Sequence, residues 1–263
     1  MKRFIGDVKK FYNYSLYNVK AELKSEVAGS FLSWIWWILD PLLYMCVYTF
    51  VAGVVFGAKM PYFPIFVFIG LNCWQLFNKT VRNSVKLVSS KKSIVTKVYI
   101  PKYMFILEKI GINGFKMLVS FILTFIFMAI WGVPISYRVL YFIPLAMMVA
   151  IVAFAFSSII MHFGVFVEDL LNIVTITLQL VFYLSGIFYS IEDRIFSKSE
   201  LVGKIMIYCN PMALIMTDMR NVLLYQKDPH FLALGIWLVV CLLISVIGVK
   251  IIYRYENSYV KII

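Results

Sequence analysis

The chain has 263 residues, 62% hydrophobic and 14% charged, with a net charge of +12. A soluble globular domain is nearer half apolar and a quarter charged, so the composition excludes an ordinary water-soluble enzyme and predicts a single transmembrane domain over 1–263 with no second folded domain. In so apolar a chain the basic excess points to orientation in a membrane rather than to nucleic-acid binding.

The first 30 residues carry Lys2, Arg3, Lys9, Lys10, Lys20 and Lys24, with Phe4, Val8, Phe11, Val19, Leu23 and Val27 at roughly helical spacing. That pattern predicts an amphipathic helix on the membrane surface; a solvated tail is the alternative. The first apolar segment starts near Phe31 and has no small-residue cleavage site, so it is expected to be retained rather than cleaved as a leader. Six segments are apolar and about long enough to cross a bilayer as helices: Phe31–Gly57, Met60–Phe77, Met117–Tyr137, Val139–Met161, Leu170–Ile191 and Phe231–Val249. A hydrocarbon core of about 30 Å needs about 20 residues, and only internally bonded backbone is stable there. Asp40 is the one formal charge in all six.

Between the second and third spans, residues 78–116 hold nine Lys or Arg and one acid, Glu108, and Pro101 ends any helix before it; the second and third spans are expected to extend a turn or more into this stretch. A cytoplasmic N-terminus places eighteen Lys/Arg inside and seven outside, with the C-terminus also inside, in agreement with the positive-inside bias. Residues 192–230 then form the one substantial external segment. Ser197 and Glu200 resemble a capping box, and Asn210-Pro211 places a capping residue before a proline at the first helical position. Met212, Ile215, Met216, Met219, Val222 and Leu223 share one face, with Thr217, Asp218, Arg220 and Asn221 on the other. Two short re-entrant helices broken at Asn210-Pro211 are expected there.

No G-x-x-x-x-G-K-[ST] motif is present, which excludes P-loop ATP hydrolysis by this chain. His162 and His230 fall at opposite membrane ends, and no metal site or Ser-His-Asp set is visible. One deep carboxylate argues against an ion-coupled secondary transporter. Asp40-Pro41 predicts a kink in the first span, the carboxylate either capping freed backbone or lining a path. Trp34, Trp37, Pro41, Tyr44 and Tyr48 share one face of that span; Gln179, Phe182, Tyr183, Gly186, Tyr189 and Ser190 cluster in the fifth. Such rings serve either as interfacial belts and packing or as flat surfaces over which sugars slide. The substrate-path candidates are Trp34, Trp37, Tyr44, Gln179, Phe182, Tyr183, Phe188 and Tyr189.

The ordered set Leu32-Ser33-Trp34-Ile35-Trp36-Trp37-Ile38-Leu39-Asp40-Pro41-Leu42-Leu43, Lys97-Val98-Tyr99-Ile100-Pro101-Lys102, Phe166-Val167-Glu168-Asp169-Leu170, Leu184-Ser185-Gly186-Ile187-Phe188-Tyr189-Ser190 and Asn210-Pro211-Met212 spans essentially the whole chain. It resembles the membrane (permease) subunit of type-2 ABC exporters of polysaccharides and polyol phosphates, a group that includes O-antigen, capsule and teichoic-acid permeases. The chain departs from that group at Asp40, where Asn is commoner, at Glu168-Asp169, where Arg-Asp is common, and at Ser185-Gly186, where Ser-Pro is common. The resemblance implies an all-α integral membrane protein of six transmembrane helices in a bacterial inner membrane. It implies a homodimer with two separate ATPase subunits, which carry the ATP and Mg, while this chain binds no cofactor. It implies a lipid-linked polysaccharide moved outward from the cytoplasmic leaflet. Residues 89–100 match a short cytoplasmic coupling helix, placing Lys91, Lys92, Val95, Tyr99 and Pro101 at the ATPase contact; Asp40, Pro41, Asn210 and Pro211 are the candidate kink or gate residues. The alternatives are an ATPase-independent lipid flippase or secondary transporter, a type-2 ABC permease for drugs or small lipids, and a non-transporting membrane anchor.

Overall fold

The computed structural model describes residues 2–28, 33–51, 53, 60–196 and 199–262, and the regular structure among them is entirely helical. Helix α1 (Lys2–Ala28) is followed by a 3-10 turn at Ser33–Ile35 and by α2 (Trp36–Phe50), which contains Pro41. Helix α3 (Phe63–Ser84) is the axis of the molecule. Tyr62, at φ 54°, turns the chain into it, and Pro64 sits in the first turn, where its missing N–H breaks no ladder bond. Helices α2, α6 (Tyr103–Ile130), α7 (Phe142–Phe166), α8 (Leu170–Leu184) and α11 (Pro211–Leu223) pack around α3, and α12 (Phe231–Ile262) packs along α7. The short helices are α4 (Leu87–Ser90), α5 (Lys92–Val95), α9 (Ile191–Arg194) and α10 (Glu200–Tyr208).

Among the described residues, three helical segments are long and apolar enough to cross a membrane: Tyr103–Ile130, Tyr137–Phe166 and Phe231–Tyr259; α8 is shorter but also apolar. Their outer faces carry exposed Ile122, Ile130, Met147, Leu232 and Leu243, as a lipid-facing surface requires. Several boundaries differ from those drawn on apolar runs. The third span does not start at Met117: α6 begins at Tyr103 and ends at Ile130. Its first turns carry Glu108, Lys109, Asn113 and Lys116, which hide a helix from hydropathy, yet each has a partner. Asn18 of α1 donates to Glu108 (3.3 Å), Glu22 pairs with Lys109, Glu26 pairs with Lys116, and Asn113 donates to Thr80 of α3 at 2.9 Å. The second span likewise continues past Phe77 to Ser84, bringing Asn78, Lys79 and Arg82 onto a core helix. The fifth ends at Leu184 rather than Ile191, because Gly186 at φ +66° reverses the chain.

The apolar core divides by depth. The largest cluster lies around α3, α6, α7 and α11. A second, built from Leu87, Val88, Val95, Ile100, Tyr103 and Tyr259 with Phe4 and Val8 of α1, gathers the two chain ends and the 87–106 region at one end of the molecule. A third, of Ile191, Ile207, Ala213 and Leu214, closes the opposite end. The expected break at Asn210-Pro211 is present: the Asn210 side chain accepts from the N–H groups of Met212 (3.0 Å) and Ala213 (3.3 Å), and Pro211 opens α11. The capping role expected of Ser197 falls outside the described residues. Helix α11 does not present its polar face outward. Asp218, Arg220 and Asn221 are all buried, because α3, α7 and α12 surround the helix.

A groove of polar and aromatic side chains and a basic end

Two adjoining cavities open beside α3. The larger, of about 340 Å³, lies between α2, α3 and α8 and is lined by Asp40, Tyr44, Tyr48, Trp74, Asn78, Lys79, Arg82, Thr175, Gln179, Phe182 and Tyr183. The smaller, of about 200 Å³, lies between α2, α3 and α6 and includes Trp36, Trp37, Asn72, Asn113 and Lys116. Asp40, Gln75 and Lys79 border both. Asp40 and Lys79 form an ion pair at 3.8 Å across the junction, each side chain close to half exposed.

The rings of the larger cavity form a continuous set. Tyr44 stacks on Tyr48 (6.0 Å), Tyr48 meets Phe188 (4.6 Å) and Phe182 (6.1 Å), and Phe182 meets Trp74 (5.6 Å) and Tyr183 (5.3 Å). Tyr44, Gln179, Phe182, Tyr183 and Phe188, drawn from α2, α8 and the turn after it, are thus brought together. Trp34 is not: it lies on the 3-10 turn, exposed. Trp37 borders the smaller cavity and packs on Phe115 of α6 at 5.5 Å. Tyr189 turns away to the opposite-end cluster, its hydroxyl donating to the Tyr183 carbonyl at 2.9 Å, because the Gly186 turn precedes it. Pro41 is buried at the edge of the smaller cavity, beside the half-exposed Asp40. Asn210 caps α11 and donates to Ser185 Oγ at 2.8 Å, tying α11 to the end of α8. The contribution of α3 was not anticipated from the sequence, although Asn72, Gln75, Lys79 and Arg82 recur at i, i+3, i+7 and i+10, a polar helical face legible in the chain.

The basic loop forms two single-turn helices, α4 and α5; α4 packs on α7, with Val85 close against Gly164. Lys92, Val98 and Tyr99 are exposed, and Lys91 is partly covered by its 3.8 Å pair with Glu22. Val95 and Pro101 are corrections to the expected docking face: Val95 is 5% exposed and Pro101 is buried, both held inward by the cluster around Leu87 and Ile100. Tyr99 accepts from Arg3 at 2.7 Å and donates to Glu256 at 3.1 Å, so α1, this loop and the end of α12 meet in one network. Burial, followed by the Glu256 carboxylate, raises the Tyr99 pKa and keeps its hydroxyl protonated.

Long apolar helices packed around a polar, ring-lined groove describe an integral membrane protein. Residues 16–224 match the sequence model of the ABC-2 type transporter family, and the chain belongs to that family. It is 26% identical over 229 residues to the O-antigen export system permease protein RfbA of Myxococcus xanthus, covering 87% of both chains. It is 25% and 24% identical over 243 residues to two proteins of the same name from Klebsiella pneumoniae, covering 92% of both chains in each case.

Proposed function

We propose that this chain is the transmembrane subunit of an ABC transporter that exports a lipid-linked, O-antigen-like polysaccharide from the cytoplasmic leaflet across a bacterial inner membrane. The observation that carries the reading is the near end-to-end likeness to proteins named O-antigen export permeases. In this reading the chain crosses the membrane six times, with α2, α3 and α8 completing spans beside the three long apolar helices, and both termini are cytoplasmic. The excess of Lys and Arg at the end built from α1, the 87–106 region and the end of α12 supports that orientation. Two copies assemble with two ATPase subunits, which hold ATP and Mg; this chain binds no cofactor. The exposed face of Lys92, Val98 and Tyr99, with Lys91 at its edge, docks on the ATPase. The rings of Tyr44, Phe182, Tyr183 and Phe188 guide the glycan, since an aromatic face matches the apolar face of a sugar without fixing it.

The test is deletion of the gene in a strain carrying the cognate glycan, with complementation, alongside ATPase assays of the purified chain alone and with its partner. Glycan trapped in the cytoplasmic leaflet, and ATP hydrolysis only in the complex, are the expected results. Normal surface glycan in the deletion strain, or hydrolysis by the purified chain unaided, overturns the reading.

A further inference from the structure

The aromatic wall accounts for one end of the larger cavity and leaves its two cations unexplained. Lys79 and Arg82 stand three residues apart on one face of α3, and both border the cavity. Lys79 meets only Asp40, at 3.8 Å, with both side chains close to half exposed, and the exposed side chain of Arg82 makes no hydrogen bond or ion pair among the described residues. Asp40 is the one carboxylate lining this cavity among the described residues. Glu26, at the adjoining cavity, is already taken by Lys116. The larger cavity is therefore cationic by one charge and holds its acid loosely.

The chain directions order the rest. Helices α2 and α8 run opposite to α3, so Asp40, Lys79, Arg82 and Thr175 share one end of the groove, and Tyr48, Phe182 and Trp74 share the other. From Asp40 to Tyr48 the rise is about 12 Å along the helix axis, with the amides of Asn78 and Gln179 also on the wall. Cation, amide and ring in sequence along one groove match an amphiphile whose anionic head is joined to sugar. We propose that Lys79 and Arg82 bind the phosphate or diphosphate head of the lipid-linked substrate, and that Asp40 occupies Lys79 until that anion displaces it. A guanidinium presents paired donors to phosphate oxygens and an ammonium adds a point charge. A half-exposed Asp–Lys pair is weak, so an oxyanion carrying more than one charge outcompetes a single carboxylate. The sugar part of this assignment rests on the proposed function; the anion part rests on the cations alone.

The test uses the full chain in lipid nanodiscs, with tryptophan fluorescence as the readout because Trp74 lines the cavity. A short-chain polyprenyl diphosphate, the uncharged polyprenol, inorganic diphosphate and phosphatidylglycerol-doped discs are the probes. The polyprenyl diphosphate binds, K79Q/R82Q weakens it about tenfold or more, D40N tightens it about threefold, and the charge-conserving K79R/R82K pair, a control for folding damage, restores most of the affinity. Competition by inorganic diphosphate assigns recognition to the bare anion; competition by phosphatidylglycerol alone assigns the cations to ordinary membrane lipid and overturns the substrate-head role. Equal binding of polyprenol, or affinities unmoved in both K79Q/R82Q and D40N, overturns the site. Glycan export by the unmodified chain is scored separately: its loss overturns the proposed function while leaving the diphosphate titration readable, and unchanged export with unchanged binding in K79Q/R82Q overturns only the anion site.

Discussion

Arg220 is buried without a carboxylate. Its guanidinium donates to the carbonyls of Phe66 (3.0 Å), Gly186 (2.8 Å) and Ile187 (3.1 Å), and lies 3.6 Å from the Phe66 ring centre. It thereby pins α11 to α3 and to the turn that ends α8. Replacing it removes three hydrogen bonds to buried carbonyls, so Arg220→Met is expected to cost about 2–5 kcal/mol, read as a lower melting temperature of the detergent-solubilised protein. Gly70 makes the seat: a Cβ there would lie 2.2 Å from Arg220 Nη2. Gly70→Ala should therefore destabilise on its own yet add little to Arg220→Met, a non-additivity that a double-mutant cycle measures. His230 supplies a pH dependence. Its Nδ1 is 2.6 Å from Asp218 Oδ1, and its backbone N–H donates to Asp218 Oδ2 at 3.1 Å. The hydrogen bond to Asp218 raises the His230 pKa, burial opposes it, and the charges of Asp218 and Glu192 add to the rise. A raised folded-state pKa contributes stability that is complete below the unfolded value of 6.5 and is lost as pH rises through the folded one. Hydrogen-exchange protection at the start of α12, corrected for the intrinsic rise of exchange with pH, should fall as pH rises above 6.5, and His230→Gln should flatten that profile; an unchanged profile would show that the pair does not set local stability. Neither residue's role was legible in the sequence. Arg220 sits on the polar face of α11, and a pattern argument sends such a face to water; its partners are main-chain carbonyls, which leave no side-chain signature.

At the scale of elements, the chain's periodicity disclosed what lay within one helix and missed what another helix completes. The cap at Asn210, the proline start of α11 and the apolar bodies of α7, α8 and α12 were all readable locally. The extension of α6 ahead of its apolar body was expected, but its full reach to Tyr103 was not, since Glu108, Lys109 and Lys116 look solvated until Asn18, Glu22 and Glu26 of α1 are placed beside them. The same partnership makes α1 a packed part of the fold at that end rather than a free tail. The seat of α4 and α5 depends on one close approach. A Cβ on Gly164 would stand 2.1 Å from the Val85 carbonyl oxygen, a backbone atom that cannot swing aside. Gly164→Ala should shift the whole 85–95 segment. The expected outcome is a protein that still inserts but binds its ATPase more weakly, measured by co-purification; co-purification at the wild-type level would show that the segment tolerates the shift.

The whole molecule leaves part of its α2 and α8 surface uncovered. Leu43, Val47 and Phe50 on α2, and Ile173, Ile176 and Leu180 on α8, are exposed, and some or all of this surface meets lipid unless a second copy covers it. In a cysteine-free background, single cysteines at Val47 or Leu180 are expected to crosslink as dimers, whereas crosslinking from Ile122 or Met147 alone would place the partner against α6 and α7 instead. The opposite surface belongs to α12, which runs without a break from Phe231 to Ile262. Thirty-two residues at 1.5 Å each make a rod of about 48 Å, half as long again as the apolar thickness of a bilayer. One end is tied to α1 and the 97–103 loop through Glu256 and Tyr253, and the other starts beside the His230–Asp218 pair, with Trp237 donating to the Tyr208 carbonyl at 2.8 Å. Partway along, Gly248 is closely packed on Ser158 of α7. One unbroken helix therefore joins the cluster at the basic end to α10 and α11 at the other, so the two ends of the molecule share a single structural member.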